Sequence, residues 1–283
     1  MDLADPVRPR DPGEDPAALT VPAEIMVYLA PDGSPALGDR VAVVTGGASG
    51  IGLAAARALA ASGASVVIAG RREPELRQAA AMLRDAGGTV EHYTADVTRS
   101  ADVAALTGYV TGRFGRLDIA FNNAGYQEPR GLLASQDEGT YAAVFDANVR
   151  SLFLCMSAQL NVMVGQGGGV IINNTSVSGI RNPNKGLALY SASKAAAISL
   201  TRSAALEYAP LGIRVNAIAP GRVVTGMMLN SKIADMNSVA SSLPLGRMGN
   251  PVEVANLVTW LATDAASYIV GQAIGADGGF LAS

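Results

Sequence analysis

The chain has 283 residues, of which 49% are hydrophobic and 16% charged, and its formal net charge is -3. That composition supplies a large aliphatic core, carries too little charge for a disordered chain, and has no Lys/Arg block to follow a phosphate backbone, so nucleic acid is not an expected partner. A single cysteine, Cys155, and a single histidine, His92, exclude an intrachain disulfide and a Cys- or His-rich metal site, and no metal is expected.

Residues 1–38 read as a proline-rich N-terminal arm, because Pro6, Pro9, Pro12, Pro16, Pro22, Pro31 and Pro35 interrupt helix and central strand alike. The apolar run 25–29 is either an edge strand, a docking segment for a partner subunit, or part of a loosely wrapped arm. Asp2, Asp5, Asp11, Glu14 and Asp15 stand where a secretory leader would be basic. No apolar run reaches the ~18 residues of a membrane span. A cytoplasmic protein without a membrane partner is the expectation.

From residue 39 onward, short apolar runs alternate with longer helical stretches. Strands are expected at 41–44, 65–68, 89–94, 117–121, 170–173, 213–217 and 273–276. Helices are expected at 51–62 and 74–86, and a long one at 189–208, with others in the remaining gaps. Short apolar runs between helices are how strands buried on both faces look in sequence. Right-handed crossovers then force parallel pairing. Residues 39–283 are therefore read as one α/β domain, a doubly wound parallel sheet of seven strands with helices on both faces.

After the first strand stands Thr45-Gly-Gly-Ala-Ser-Gly-Ile-Gly52, leading straight into a helix. Glycines let the backbone turn sharply and approach a ligand, and the helix start offers unpaired N–H groups and positive dipole character to a pyrophosphate. The spacing G-x-x-x-G-x-G differs from the commoner G-x-G-x-x-G. Farther on, Tyr190-Ser-Ala-Ser-Lys194 begins the long helix, and residues four apart share a helix face. A phenol normally titrates near ~10. A neighbouring ammonium favours phenolate, so the pair offers a proton donor for reduction and a base for oxidation.

The motif TGxxxGIG resembles that of the short-chain dehydrogenase/reductase family, in its compact single-domain Rossmann-fold branch that includes 3-oxoacyl-carrier-protein reductase-like ketoreductases. The likeness continues in order through Asp96-Val97, Asn122-Asn-Ala-Gly125, Asn148, Ser176, Tyr190-x-x-x-Lys194 and Pro220-Gly221, and so covers residues 39–283. It implies a nicotinamide-dependent oxidoreductase. A carbonyl held by Ser176 and Tyr190 would receive hydride from the nicotinamide and a proton from Tyr190. Lys194 would hold the nicotinamide ribose and tune the phenol, and Asn148 would position a water in a proton relay to the lysine. Ser178 is the rival to Ser176. Thr45, Gly46, Ser49, Gly50, Ile51 and Gly52 would cradle the cofactor phosphates. Asp96 and Val97 would contact adenine, and Asn122, Asn123, Ala124 and Gly125 would brace the sheet and line the cofactor. Val223 and Thr225, after Pro220-Gly221, would bond the nicotinamide carboxamide, with Pro220, Gly221, Tyr190 and Lys194 also touching the cofactor. A homotetramer or homodimer through helix 189–209 and the C-terminal tail is implied as well.

An NAD-preferring member would place an acid near Gly70 for the ribose 2′-hydroxyl. Here Arg71 follows instead, suited to a 2′-phosphate, so NADP(H) is favoured and NAD(H) remains the alternative. Serine at position 49 lacks the second basic group of some NADP-using relatives. Three segments are expected around a small-molecule carbonyl or alcohol: 126–133, 180–189 and 226–243. The last carries Met227, Met228, Leu229, Met236 and Leu243, an adaptable apolar lid. Arg181 and Lys185 would either attract an anionic group or stand solvated. Ketone reduction is the leading expectation and alcohol oxidation the alternative. A sugar epimerase or dehydratase is disfavoured by the glycine spacing, an enoyl reductase by the four-residue tyrosine–lysine spacing, and a non-catalytic cofactor-binding scaffold by the intact Asn148, Ser176, Tyr190 and Lys194.

Overall fold

Strand and helix alternate as the hydrophobic pattern requires. The computed structural model describes residues 23–182, 184–231 and 235–283. The first half contains β1 (Val41–Thr45), α1 (Gly50–Ala61), β2 (Ser65–Gly70), α2 (Glu73–Asp85), β3 (Val90–Thr94), α3 (Ser100–Phe114) and β4 (Ile119–Asn122). Next come α4 (Glu138–Phe145), α5 (Ser151–Gln166), β5 (Gly169–Asn174), α6 (Ala188–Tyr208) and β6 (Ile213–Pro220). The chain closes with α7 (Gly226–Leu229), α8 (Met236–Ser241), α9 (Pro251–Ala262) and β7 (Ala273–Ala276). The seven strands form one sheet in the order β3-β2-β1-β4-β5-β6-β7, and every pairing is parallel. The chain winds outward from β1 to β3, then returns to lay β4 against the other side of β1. Connections leave the carboxyl ends of β1 and β4 in opposite directions, which opens a crevice there.

The two-residue period of a strand divides the core. Ala42 and Val44 of β1, with Val66 and Ile68 of β2, face a cluster completed by Ala55 and Leu59 of α1, Leu76 of α2 and Val258 of α9. Val41, Val43, Val67 and Ala69 face the opposite cluster, closed by Leu106 of α3, Leu160 of α5 and Ala197 of α6. Apolar burial on both faces is why these strands read as unbroken apolar runs. Among the described residues no helix is long and apolar enough to cross a membrane.

The expected elements are all present, with shifted ends. The largest shift is at the sixth strand, which runs to Pro220 rather than 217, and the fourth starts at Ile119 rather than 117. Just ahead of that strand Asp118 still bonds Val41 O and Val170 N through its backbone, and its buried carboxylate accepts from Val41 N at 2.8 Å and from Arg116 at 2.6 and 2.8 Å. The 25–29 run does not join the sheet. Met26 N donates to Asn256 Oδ1 at 3.0 Å, Asn256 Nδ2 donates to Glu24 O at 3.0 Å, and Tyr28 N donates to Ser62 Oγ at 3.2 Å. Residues 23–38 thus lie over α9 and the end of α1, with Leu37 buried in the core. Residues 1–22 of the arm lie outside the described residues.

Candidate active site

β1 delivers Thr45 to the crevice, and the chain enters α1 through Gly46 (φ 66°) and Gly50 (φ 54°), both in the left-handed region open to glycine. A Cβ on Gly52 would collide with the Gly46 carbonyl oxygen. Asn123 staples the turn, with Nδ2 donating to Thr45 O at 3.1 Å and Gly46 O at 3.3 Å. Thr45 Oγ1 accepts from Asn123 N at 2.9 Å and Ala124 N at 3.1 Å. Ile51 packs against the core from the first turn of α1. The start of that helix is left uncapped: Ser49, exposed at the N-cap, makes no capping bond, and the first turn holds no acid. Unfilled N–H donors at the positive end of a helix fit a dinucleotide pyrophosphate.

At the end of β2, Arg71 is exposed, and among the described residues no carboxylate lies within ion-pair distance of it. The neighbouring acids are taken, Glu75 by Arg72 at 3.3 Å and Glu73 by Arg77. Burial pushes Asp96 up, but hydrogen bonds from Thr98, with Arg71 and Arg99 nearby, outweigh it and hold the carboxyl below its ordinary value. Val97 is buried beside Ala124 and Cys155. Burial pushes the Cys155 thiol up to about 12, which makes it an unreactive core residue.

Asn122 lines the small cavity that Lys194 also reaches, with its amide spent on other side chains. It is buried in a network, donating to Gln159 Oε1 at 2.9 Å and Asn173 Oδ1 at 3.0 Å while accepting from Gln159 Nε2 at 2.8 Å. Its neighbour Gly125 has no side chain where a Cβ would sit 3.0 Å from Asn148 Oδ1 and 3.5 Å from Lys194 Nζ, so glycine lets those two groups converge. Asn148 lies in a π-helical turn, residues 146–150, wound between α4 and α5. Ser151 N bonds Asp146 O, five residues back, and the Ser151 hydroxyl donates to Ala147 O at 2.6 Å. Asn148 clamps the backbone of Tyr126, accepting from its N–H at 2.8 Å and donating to its carbonyl at 2.7 Å. It also donates to Ser193 Oγ at 2.9 Å. The side-chain amide is thereby committed. Any link from Asn148 to Lys194 runs through a small polar cavity that both line, together with Thr45, Ala124 and Asn174.

Tyr190 and Lys194 share a face of α6, with the Lys194 Nζ 5.6 Å from the phenol ring centroid. The ammonium donates to Asn174 O at 2.9 Å, and Lys194 is only 5% exposed. Burial brings its pKa down to about 8. The phenol differs from the sequence expectation. Burial raises Tyr190 above its ordinary value, opposed by a hydrogen bond with Ser176 and by the Arg222 charge, and reinforced by Glu128. Desolvation of the phenol is the largest of these influences. Ser176 caps a 3-10 turn, its Oγ accepting from Ser178 N at 3.1 Å. Ser178, the rival, is buried and its hydroxyl accepts from Asn184 Nδ2 at 3.2 Å.

Beyond Pro220, which pairs with Ala276 of β7, Gly221 packs so closely on Asp277 that a Cβ would lie 2.7 Å from its Cα. Val223 is buried, and Thr225 caps α7 by accepting from Met228 N at 3.3 Å. The Thr225 methyl lies 3.5 Å from where a Gly50 Cβ would be, so residues 223–225 close over the glycine-rich turn. In the Met-rich segment, Met228, Met236 and Leu243 pack with Met248 and Phe280, while Met227 and Leu229 are exposed. Residues 232–234 of that segment lie outside the described residues. Arg181 stacks on Phe280 at 4.9 Å and donates to carbonyls of the C-terminal tail. Among the described residues no group of three His, Cys, Asp or Glu could hold a metal ion.

Two residues of the site escaped the sequence reading. Glu128 is 1% exposed, and its Oε1 accepts from Tyr190 N at 3.0 Å, capping a helix whose own N-cap residue, Leu187, cannot. Its Oε2 is buried and has no hydrogen-bond partner among the described residues. Arg222 is half-buried beside Tyr190 and donates to Asn184 Oδ1 at 2.5 Å. Their positions, three residues past Gly125 and one past Gly221, were the available signal.

A family model described as enoyl-(acyl carrier protein) reductase matches residues 46–281. The chain is 42% identical to cis-4-hydroxycyclohexanecarboxylate dehydrogenase of Sinomonas cyclohexanicum, over 87% of this chain and 98% of that one. It is 40% identical to a 3-oxoacyl-[acyl-carrier-protein] reductase of Synechocystis, over 87% and 98% of the two chains. Among solved structures, levodione reductase superimposes with a TM-score of 0.84 at 35% identity, covering 87% of this chain and 99% of the other.

Proposed function

We propose, from the premise that this chain belongs to the short-chain dehydrogenase/reductase family, that it reduces a ketone to a secondary alcohol with NADPH, using Tyr190 as general acid. The coarser activity is that of its relatives: it is an NAD(P)-dependent oxidoreductase acting on alcohol or carbonyl groups of a small molecule. The observation that carries the finer reading is the meeting of Ser176, Tyr190 and Lys194 at the carboxyl end of the sheet, beside the uncapped start of α1.

A bound nicotinamide supplies the hydride. Ser176 donates to the substrate carbonyl oxygen and stabilises the charge that grows there. Tyr190 passes its proton to that oxygen, and its burial-raised pKa keeps it protonated until then. Lys194, brought down to about 8, holds a proton that it can give up near neutral pH, so it both steadies the phenolate and helps refill it. Asn148 is read as a positioning residue that fixes Tyr126 and Ser193 around the polar cavity. The cofactor contacts are read as Thr45, Gly46, Ser49, Gly50, Ile51, Gly52, Asp96, Val97, Asn123, Ala124, Gly125, Tyr190, Lys194, Pro220, Gly221, Val223 and Thr225, with Arg71 on the 2′-phosphate. The unengaged Arg71 guanidinium supports NADP(H) over NAD(H). The four-residue spacing of Tyr190 and Lys194 supports carbonyl over enoyl reduction.

Residues 39–283 are read as the catalytic domain. Its surface carries an apolar cleft between Phe145, Val149, Phe153 and Leu200, which supports a homodimer or homotetramer joined through α5 and α6.

The test is a panel of ketones and secondary alcohols, followed by reduced-nicotinamide absorbance with NADPH and NADH separately, on wild type and Tyr190→Phe. The variant should bind cofactor as wild type does and lose about 10²- to 10⁴-fold in turnover. Ketone reduction by the variant at the wild-type rate would remove Tyr190 from the reaction.

A further inference from the structure

We infer that Arg222 binds a carboxylate on the substrate, so that the preferred substrate is an oxo acid or hydroxy acid rather than a neutral ketone or alcohol. This rests on the reading of Tyr190 as the proton donor, because Tyr190 marks where the reacting carbon sits.

Two other partly buried arginines are satisfied by the fold: Arg247 meets Glu253 with two hydrogen bonds at 2.8 and 2.9 Å, and Arg214 donates to the carbonyls of Leu261 and Thr263 at 2.9 and 3.0 Å. The partly buried Arg40 faces the exposed Asp264 at 3.7 Å, far from the site. Arg222 stands apart. Its one hydrogen bond among the described residues goes to a neutral amide, Asn184, and no carboxylate pairs with it. A guanidinium has five N–H donors, and removing it from water without an acceptor is costly. Burial lowers the Arg222 pKa, and the nearby Arg130 charge lowers it further. An anion arriving with the substrate would relieve both.

The position is suited to the task. Asn184, which holds Arg222, also donates to Ser178 Oγ, and Ser178 N donates to Ser176 Oγ. Asn184 and Ser178 thus stand between the guanidinium and the hydroxyl read as gripping the carbonyl, each bonded to its neighbour. The loops beside it are zipped together, Gly131 N to Gly186 O at 3.1 Å and Arg130 to Lys185 O at 2.8 Å. They bring Arg130 and Lys185 to the same rim. The one acid in segments 126–133, 180–189 and 222–229 is Glu128, and its carboxylate is turned to Tyr190 N. The rim is thus net positive, in a chain whose overall charge is negative. Arg181, exposed, is engaged by the C-terminal tail.

The experiment has a binding arm and a kinetic arm. Protein saturated with NADP+ is titrated calorimetrically with benzoate and with benzamide, a shape-matched pair that cannot be reduced. Wild type should bind benzoate about tenfold or more tightly than benzamide. Arg222→Gln should erase that preference, and Arg222→Lys should restore part of it. In parallel, 3- and 4-acetylbenzoate are compared with their methyl esters as substrates. R222Q should raise KM for the acids about tenfold more than for the esters. Any effect of Arg222 on the Tyr190 phenol acts on acid and ester alike and cancels in that ratio. Wild type indifferent to charge, or equal losses on acid and ester, would overturn the assignment. Failure of every ketone to turn over would count against the reductase reading alone, because benzoate binding needs no hydride transfer.

Discussion

Replacing Lys194 by methionine keeps the length of the side chain and removes a charge from a site that burial makes hostile to it. The fall from 10.5 to about 8, at about 1.4 kcal/mol per pH unit, means that carrying the proton costs the fold roughly 3 kcal/mol. The folded-state value lies below the unfolded one, so the unfolded chain binds the proton more tightly. That cost is present in full below pH 8 and fades as pH rises toward 10.5. Methionine also deserts the Asn174 carbonyl, now bonded at 2.9 Å, at a cost of about 1 to 2 kcal/mol. K194M should therefore be more stable than wild type at pH 7 by about 1 to 2 kcal/mol, and less stable at pH 10. Urea unfolding of both proteins at the two pH values reads this directly, because every other titrating group is common to them. A methionine variant that is weaker at both pH values would show that burial does not set the lysine's pKa.

Four further outcomes follow from the same geometry. Arg71→Ala should raise KM for NADPH by about tenfold or more and leave KM for NADH within about twofold; equal losses would remove the 2′-phosphate contact. Glu128→Ala strips the N-terminus of α6 of its acceptor, and thermal unfolding should reveal a loss of about 1 to 2 kcal/mol accompanied by lower kcat. Glu128→Gln keeps an acceptor for Tyr190 N and should recover most of both. Phe153→Arg places a charge in the apolar cleft and should shift the light-scattering mass toward the monomer, while a mass equal to that of wild type would place the subunit contact elsewhere.

The architecture was legible because strands buried on both faces and helices buried on one leave different periods in sequence. Residues 41–44 and 66–69 are apolar throughout, and they divide between two cores that the sequence does not distinguish. The glycine-rich turn was legible for a steric reason, since Gly52 stands where any Cβ would strike a carbonyl. What was hidden depended on burial or on contacts across the chain. The carboxylate of Asp118 accepts from Val41 N, 77 positions away, a contact that leaves no mark in the sequence. Glu128 lies 62 positions from the amide it caps. The direction of the Tyr190 pKa was misjudged because spacing reveals the partner charge and says nothing of how dry both groups are.

The π turn at residues 146–150 sets the phase of everything after it. One extra residue there turns the long α4–α5 rod by about 100° relative to an ordinary α-helix. Deleting a single residue from 146–150 would make the rod more regular and would swing Asn148 away from Tyr126. The same change would rotate Leu152, Cys155, Met156 and Leu160 out of the sheet-facing stripe. A locally more ideal helix would thus empty both the polar cavity and part of the core, so the irregular winding holds the two in register.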